Sequence, residues 1–292
     1  DEGDLVTTSP VVTTPTLSTV SLGTVLSTSE HAFQPGEAVL TAENLSLAFG
    51  GTKAIRDVTF HVEAHELFAV IGPNGAGKTS IFNCISGVYR PQQGSIKLRG
   101  QDILGTRPDA ISKLGVARMF QNIELFDNLT LLDNLMLGRH NHLSYSLASA
   151  CVFRGQAKRA EIENRAITEE IIDFLDLAAY RELPVGMLPY GVKKRVELGR
   201  ALAMEPILLL LDEPVAGMNV EETEDMARFI LDVRNELGVS MILVEHDKGL
   251  VMYLADRVMV LDFGERIALG TPEQVQADPA VIKAYLGEES ES

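Results

Sequence analysis

Positive charge is what this sequence holds least of for its size: 25 Lys and Arg stand against 41 Asp and Glu in 292 residues, a net charge of −16. A field of that sign does not draw in a phosphodiester backbone, which excludes nucleic acid as the main partner. Cysteine is nearly absent too. Cys84 and Cys151 are the only two, so there is no disulfide framework, and a reducing cytosol suits the chain. Cys84 lies in an apolar segment and reads as a packed core thiol. No stretch approaches the 18 or so apolar residues that a membrane-spanning helix needs. Any membrane role must therefore pass through a partner. Residues 1–36 contain no Lys or Arg and show neither a basic start nor a compact apolar run, so they do not read as a signal peptide. Their Thr, Ser, Val and Pro content, without helical or strand period, predicts a disordered extension.

What the chain does have is apolar residue, 46% of the total, enough for one large domain or one domain with a lobe. Two strands are expected from Val39 to Phe49 and from Ala54 to Val62, turning at Gly50-Gly51. Further strands are expected at Leu67–Ile71, around Gly94–Gly100, and at Ile207–Leu211, Met241–Val244 and Val258–Leu261. The last forms a hairpin with Arg266–Leu269 through Asp262-Phe263-Gly264-Glu265. Apolar runs alternating with helical segments imply a parallel sheet covered on both faces. The middle, from about 122 to 200, lacks strand signals and reads as a helical insertion, with an irregular, partly basic stretch from Arg139 to Arg159.

The chemistry starts at Gly72-Pro73-Asn74-Gly75-Ala76-Gly77-Lys78-Thr79. This is G-x-x-x-x-G-K-[ST], placed between an apolar strand and a helix, where a nucleotide triphosphate is cradled. Glycine lets backbone N–H groups approach phosphate oxygens without a Cβ in the way. The helix that follows adds the positive end of its dipole. Asn74, Gly75, Ala76, Gly77, Lys78, Thr79 and Ser80 are thus the expected phosphate-binding set, with Lys78 on the β and γ phosphates and the Thr79 hydroxyl on Mg²⁺. A second anchor is Ile207-Leu208-Leu209-Leu210-Leu211-Asp212-Glu213-Pro214. A buried strand ending in a carboxylate puts Asp212 at the carboxyl edge of the sheet, where ligands bind in such folds. Asp212 is expected to hold Mg²⁺ through water, and Glu213 to polarise the attacking water.

With these two anchors, the chain from Val39 to Glu289 resembles the ATP-binding subunits of ABC transporters. Leu188-Pro189-Tyr190-Gly191-Val192 stands in the place of that family's LSGGQ signature, 21 residues before Asp212 (212 − 191). Gln121 matches the Q-loop, Ala216-Gly217-Met218-Asn219 the D-loop, and His246 the switch histidine; Phe49 sits where an aromatic residue stacks on adenine. The resemblance implies a P-loop NTPase (RecA-like) α/β fold: a parallel sheet core, an antiparallel β subdomain and an inserted α-helical subdomain. It divides the chain into the extension at 1–36, an ATPase domain at 37–275 and a C-terminal helix and acidic tail at 276–292. It implies ATP and Mg²⁺ as cofactors, Glu213, His246 and Gln121 as catalytic residues, and Thr79, Gln121 and Asp212 about the metal.

Two such subunits face head to tail, so Pro189, Tyr190 and Gly191 of one close on the ATP of the other. The partners implied are that second subunit, identical or paralogous, a transmembrane permease and, indirectly, a solute-binding protein, with this chain peripheral on the cytoplasmic face of the membrane. The signature departs from the family pattern, since Pro189 replaces Ser, Tyr190 a Gly and Val192 the Gln. Pro is well suited to a helix start, but one hydroxyl donor to the γ-phosphate is lost. Gly191 opens a helix with apolar Val192, Val196, Gly199 and Leu202 at helical spacing and Lys193, Lys194, Arg195 and Arg200 on the remaining surface. The tyrosine-glycine signature, the Ala-Gly-x-Asn D-loop and the ending from Gly270 to Glu288 resemble the branched-chain amino-acid (Liv-type) uptake subgroup. The alternatives are a lipid or lipopolysaccharide transport subunit and a soluble ABC scaffold.

Overall fold

The computed structural model describes residues 36–142 and 156–289. The predicted extension lies outside them apart from Gly36, as do Cys151 and the part of the basic stretch from 143 to 155. Two sheets build the molecule. In the first, β1 (Ala38–Phe49), β2 (Thr52–Glu63), β4 (Gln93–Leu98) and β5 (Gln101–Asp102) pair antiparallel in the order β2-β1-β4-β5. In the second, the order is β10-β9-β3-β8-β7-β6, with β3 at Leu67–Ile71, β6 at Val116–Met119, β7 at Leu208–Asp212, β8 at Ser240–Val244, β9 at Arg257–Asp262 and β10 at Glu265–Gly270. Only β10 runs antiparallel there. This is the P-loop NTPase α/β arrangement.

β3, β7 and β8 are buried at every position, which is why they read as unbroken apolar runs. Their side chains still alternate between two cores. Ala69, Leu209, Leu211 and Leu243 face one, whereas Phe68, Val70, Leu210 and Ile242 face the other. The second core includes α1 (Lys78–Ile85) and the antiparallel sheet, with Phe68 stacked on Phe60 at 5.5 Å. Cys84 sits there, its thiol pushed by burial up to about 12, which keeps it protonated and inert. The β9–β10 hairpin turns on Phe263 and Gly264 at φ 43° and 82°, the pair of positive values that a two-residue loop of this hand requires.

α2 (Pro108–Lys113), α3 (Leu131–Gly138), α4 (Gln156–Phe174) and α5 (Tyr190–Leu202) fill the region between β5 and β7. α6 (Val220–Leu237) opens on a reciprocal cap of Asn219 with Glu222 and closes on Gly238 at φ 67°. α7 (Lys248–Leu254) follows β8, and α8 (Pro272–Gln276) and α9 (Pro279–Glu289) end the described chain. β6, which the sequence reading passed over, is the edge strand of the parallel sheet beside β7. Val116, Ala117, Arg118 and Met119 hold one β-branched residue in four, and the pairing with β7 overrides that weak propensity.

Candidate active site

β3 delivers the phosphate loop to the carboxyl edge of the parallel sheet. Gly77, at φ 106°, caps α1, and a Cβ there would lie 2.5 Å from the Ala54 carbonyl oxygen. Glycine is therefore required by both conformation and space. Lys78 is buried and folds back over the loop, its Nζ donating to the carbonyls of Gly72 at 2.6 Å and Pro73 at 3.0 Å. Asn74, Gly75 and Thr79 are exposed, and Ser80 is half-buried. Phe49 is exposed at the end of β1, with its ring edge-on to Tyr89 at 4.9 Å.

Two of the expected residues converge on the carboxylate of a third. Glu213 Oε2 accepts from Gln121 Nε2 at 2.7 Å, and Oε1 lies 2.9 Å from His246 Nε2. Glu213 stands at φ +50°, a left-handed conformation unusual for a non-glycine residue. Its N–H donates to the Val244 carbonyl at 2.8 Å, and its own carbonyl accepts from Ala216 N–H at 3.2 Å. Asp212 lies behind, buried, with Oδ2 paired to Arg118 Nη2 at 2.5 Å.

The signature lies at the start of α5. Pro189 takes the N-cap position without a side-chain cap, and Pro189 and Tyr190 are exposed while Gly191 is buried. Tyr190 Oη donates to the Ala216 carbonyl at 2.9 Å, so its side chain bridges to the D-loop of its own chain. A Cβ on Gly191 would sit 2.5 Å from Glu222 Oε1, inside the cap of α6. Gly191 thus has a packing reason within its own chain.

One expectation is corrected. Lys194, expected on the outer surface of α5, is wholly buried. Its ammonium donates to the Gln121 carbonyl at 2.7 Å, and Glu197, Glu245, Glu213 and Asp212 offset the burial that lowers its pKa. Four carboxylates in one region want a cation beneath them. One helical turn on, Glu197 Oε1 accepts from the Glu124 N–H at 3.1 Å, and Arg200 donates to the Glu124 carbonyl. Lys194, Glu197 and Arg200 therefore fasten the segment from Gln121 to Glu124 onto α5.

Two further residues escaped the sequence reading. Arg118 of β6 binds Asp212 and Asn83, the latter at 2.8 Å, and lies over the Phe120 ring at 4.8 Å. Glu245 is buried, and its two oxygens accept from the Val215 N–H at 3.1 Å and the His246 N–H at 3.0 Å. Burial raises its pKa, and those N–H donors oppose the rise. Glu245 sits directly before His246, and that adjacency was the one available signal.

Residues 55–216 match the family model described as ABC transporter, and residues 265–291 match one described as branched-chain amino acid ATP-binding cassette transporter. The chain is 39% identical over 250 residues to the high-affinity branched-chain amino acid transport ATP-binding protein BraF of Pseudomonas aeruginosa, covering 86% of this chain and 98% of BraF. It is 37% identical to LivG of Escherichia coli, of the same description, covering 86% and 99%. The lipopolysaccharide export system ATP-binding protein LptB of Haemophilus influenzae is 32% identical, covering 86% and 98%. A crystal structure of a nucleotide-free ATP-binding cassette from an ABC transporter superposes with TM-score 0.74 at 28% identity, covering 85% of this chain and 99% of that one. The chain belongs to the ABC transporter family, as one of its ATP-hydrolysing subunits.

Proposed function

We propose that this ATPase drives the import of branched-chain amino acids or similar small solutes through a membrane permease, from the cytoplasmic face of the membrane. The observation that carries the enzymatic part is the convergence of Gln121 and His246 on the two oxygens of Glu213. In this reading Glu213 is the general base for the attacking water, and its neighbours hold the carboxylate in one orientation. His246 contacts the γ-phosphate of its own site, and Phe49 stacks on the adenine. Pro189, Tyr190 and Gly191 offer the start of α5 to the γ-phosphate bound by a facing subunit. Residues 37–275 form the ATPase domain, with about 122–200 as its helical lobe.

Mg²⁺ fits the donors present. Thr79, Gln121 and Asp212 are hard oxygen ligands, and Mg²⁺ commonly takes one or two protein oxygens, the rest coming from water and phosphate. Bound there it would neutralise charge on the β and γ phosphates.

Lys78→Ala tests the phosphate loop. A hydrogen bond to a charged group contributes about 1.5–3 kcal/mol, so affinity for a fluorescent ATP analogue should fall on the order of tenfold to a hundredfold. Unchanged affinity in a folded variant refutes the loop assignment.

The permease is proposed to dock where Ser86, Val88, Phe120, Leu137, His140 and Arg200 line a groove of about 420 Å³. Val88, Phe120 and Leu137 expose apolar surface there, and Phe120 adjoins Gln121. Among the described residues no helix is long and apolar enough to cross a membrane; in this reading the translocation path belongs to the permease. The lipopolysaccharide alternative is less well supported, because identity to LptB is lower and the C-terminal match is to the amino-acid group. Purification from membranes with the bound permease, followed by reconstitution into liposomes, tests the solute. ATP-dependent uptake of labelled leucine, isoleucine or valine is expected. Co-purification of a lipid-extracting complex instead refutes the import reading.

A further inference from the structure

Tyr190 stands where the family signature carries glycine, and its side chain has a defined task in its own chain. Its hydroxyl donates to the Ala216 carbonyl at 2.9 Å. Its ring lies over Gly217, where a Cβ would come within 3.3 Å of the ring edge and hydroxyl. Gly217, at φ +80°, leaves that space open. The next residue, Gly191, backs onto Glu222 in the α6 cap. The signature loop therefore lies against the D-loop at 216–217 and against the start of α6 at Glu222. Ala216 in turn donates its N–H to the Glu213 carbonyl at 3.2 Å, closing the turn that holds Glu213 at φ +50°. A non-glycine residue stays in that conformation only where its surroundings over-determine it.

We propose that Tyr190 is a positioning residue for Glu213, tying the loop that reads the facing subunit's nucleotide to the turn that carries the base of its own site. The inference rests on the ATPase reading above and deepens it. Engagement of the signature with a γ-phosphate across the interface shifts Tyr190, and with it Ala216 and the turn at Glu213. Because each chain's signature serves the opposite site, the contact makes the two sites report to each other. That is a coupling between distinct sites through a named physical contact.

The test is Tyr190→Phe, which keeps the ring over Gly217 and removes only the donor. Tyr190 is 43% exposed, so the variant should fold and melt with the wild type. Full-length chain at a concentration that saturates dimers is assayed for ATP binding, ATPase rate and Hill coefficient. Expected are unchanged ATP affinity, a maximal rate lowered about fivefold or more, in the usual range of coupling between sites, and a Hill coefficient falling from above 1 toward 1. As a second measurement, the Glu213→Gln protein should gain ATP-dependent amide exchange protection across 213–219, and Tyr190→Phe in that background should lose it. Wild-type rate and Hill coefficient in Tyr190→Phe overturn the proposal. So does a rate loss that merely follows a lowered melting temperature, which would make Tyr190 a structural brace. Failure of the ATPase reading looks different: the wild-type protein itself would not hydrolyse ATP.

Discussion

Glu213→Gln is expected to abolish turnover while leaving ATP binding intact. The substitution keeps the shape of the side chain and an oxygen able to accept from Gln121 Nε2, which now lies 2.7 Å from Oε2. It removes the basic oxygen that would take the proton from water. Loss of a positioned base costs about 10²–10⁴ in rate. In the proposed reading nucleotide affinity resides in the separate loop from Gly72 to Ser80, so a fluorescent ATP analogue should bind as to the wild type. With binding intact and the chemical step blocked, two chains should stay closed around ATP, visible as an ATP-dependent dimer in size-exclusion chromatography. Near-wild-type turnover in the variant would remove Glu213 from the role of base.

What the sequence made legible was whatever is encoded locally. The phosphate loop, the strand ending in Asp212 and the Phe263-Gly264 hairpin each combine a backbone requirement with a short residue pattern, and each lies where the pattern put it. The antiparallel pair β1–β2 was also readable, from alternation and the Gly50-Gly51 turn. Contacts that depend on distant segments were not. Lys194 looked like a surface lysine because its chain neighbours Lys193 and Arg195 are charged. Its burial is decided by the carbonyl of Gln121, 73 residues away, and by carboxylates arriving from β7 and β8. Arg118 hid for a related reason. It lies on a four-residue edge strand with little intrinsic preference, and its ion pair with Asp212 spans 94 residues. The Tyr190 hydroxyl reaches Ala216 across 26 residues, a pairing that no local pattern encodes.

These long-range contacts share an organisation. α5 carries the signature at its start, Lys194, Glu197 and Arg200 on the face that holds Gln121 to Glu124, and Tyr190 against Ala216. Glu245 joins the Val215 and His246 backbones on the opposite side of Glu213. The Gln121 segment, the signature, the turn at Glu213 and the His246 segment are therefore each fastened to another of the group. A displacement of α5 relative to the parallel sheet moves Gln121 through the Lys194 ammonium and Ala216 through the Tyr190 hydroxyl at once. The groove lined by Phe120 and Arg200 contacts the same two elements. A permease seated there would act on the site through α5 and the segment after β6.

The isolated chain should hydrolyse ATP slowly, with specific activity rising as protein concentration rises until dimers saturate. The reason lies in what a single chain presents. It brings the phosphate loop, Asp212, Glu213, Gln121 and His246 to one edge of its sheet, whereas its signature lies on α5 and is proposed to serve a second chain. Without that chain, the start of α5 does not close on the γ-phosphate. Pro189 supplies no side-chain donor and the Tyr190 hydroxyl is committed to Ala216, so the facing loop acts through backbone N–H groups and the helix dipole. Such a contact contributes about 0.3–1 kcal/mol when exposed and up to ~2 kcal/mol when partly buried. That contact alone adds little between two chains that each carry a net charge of −16, and hydrolysis removes the γ-phosphate it grips, so wild-type dimers should not persist at low concentration. Salt that screens the repulsion should therefore raise the rate of dilute protein, and the permease should raise it further by holding both halves. Gly191→Asp is a poor probe of this step, because any Cβ at 191 meets Glu222 before it meets a facing nucleotide. The informative measurement is ATPase rate against protein concentration, at two ionic strengths, with and without the membrane subunits. Full-rate hydrolysis strictly first order in dilute monomer would show that one chain completes the site alone.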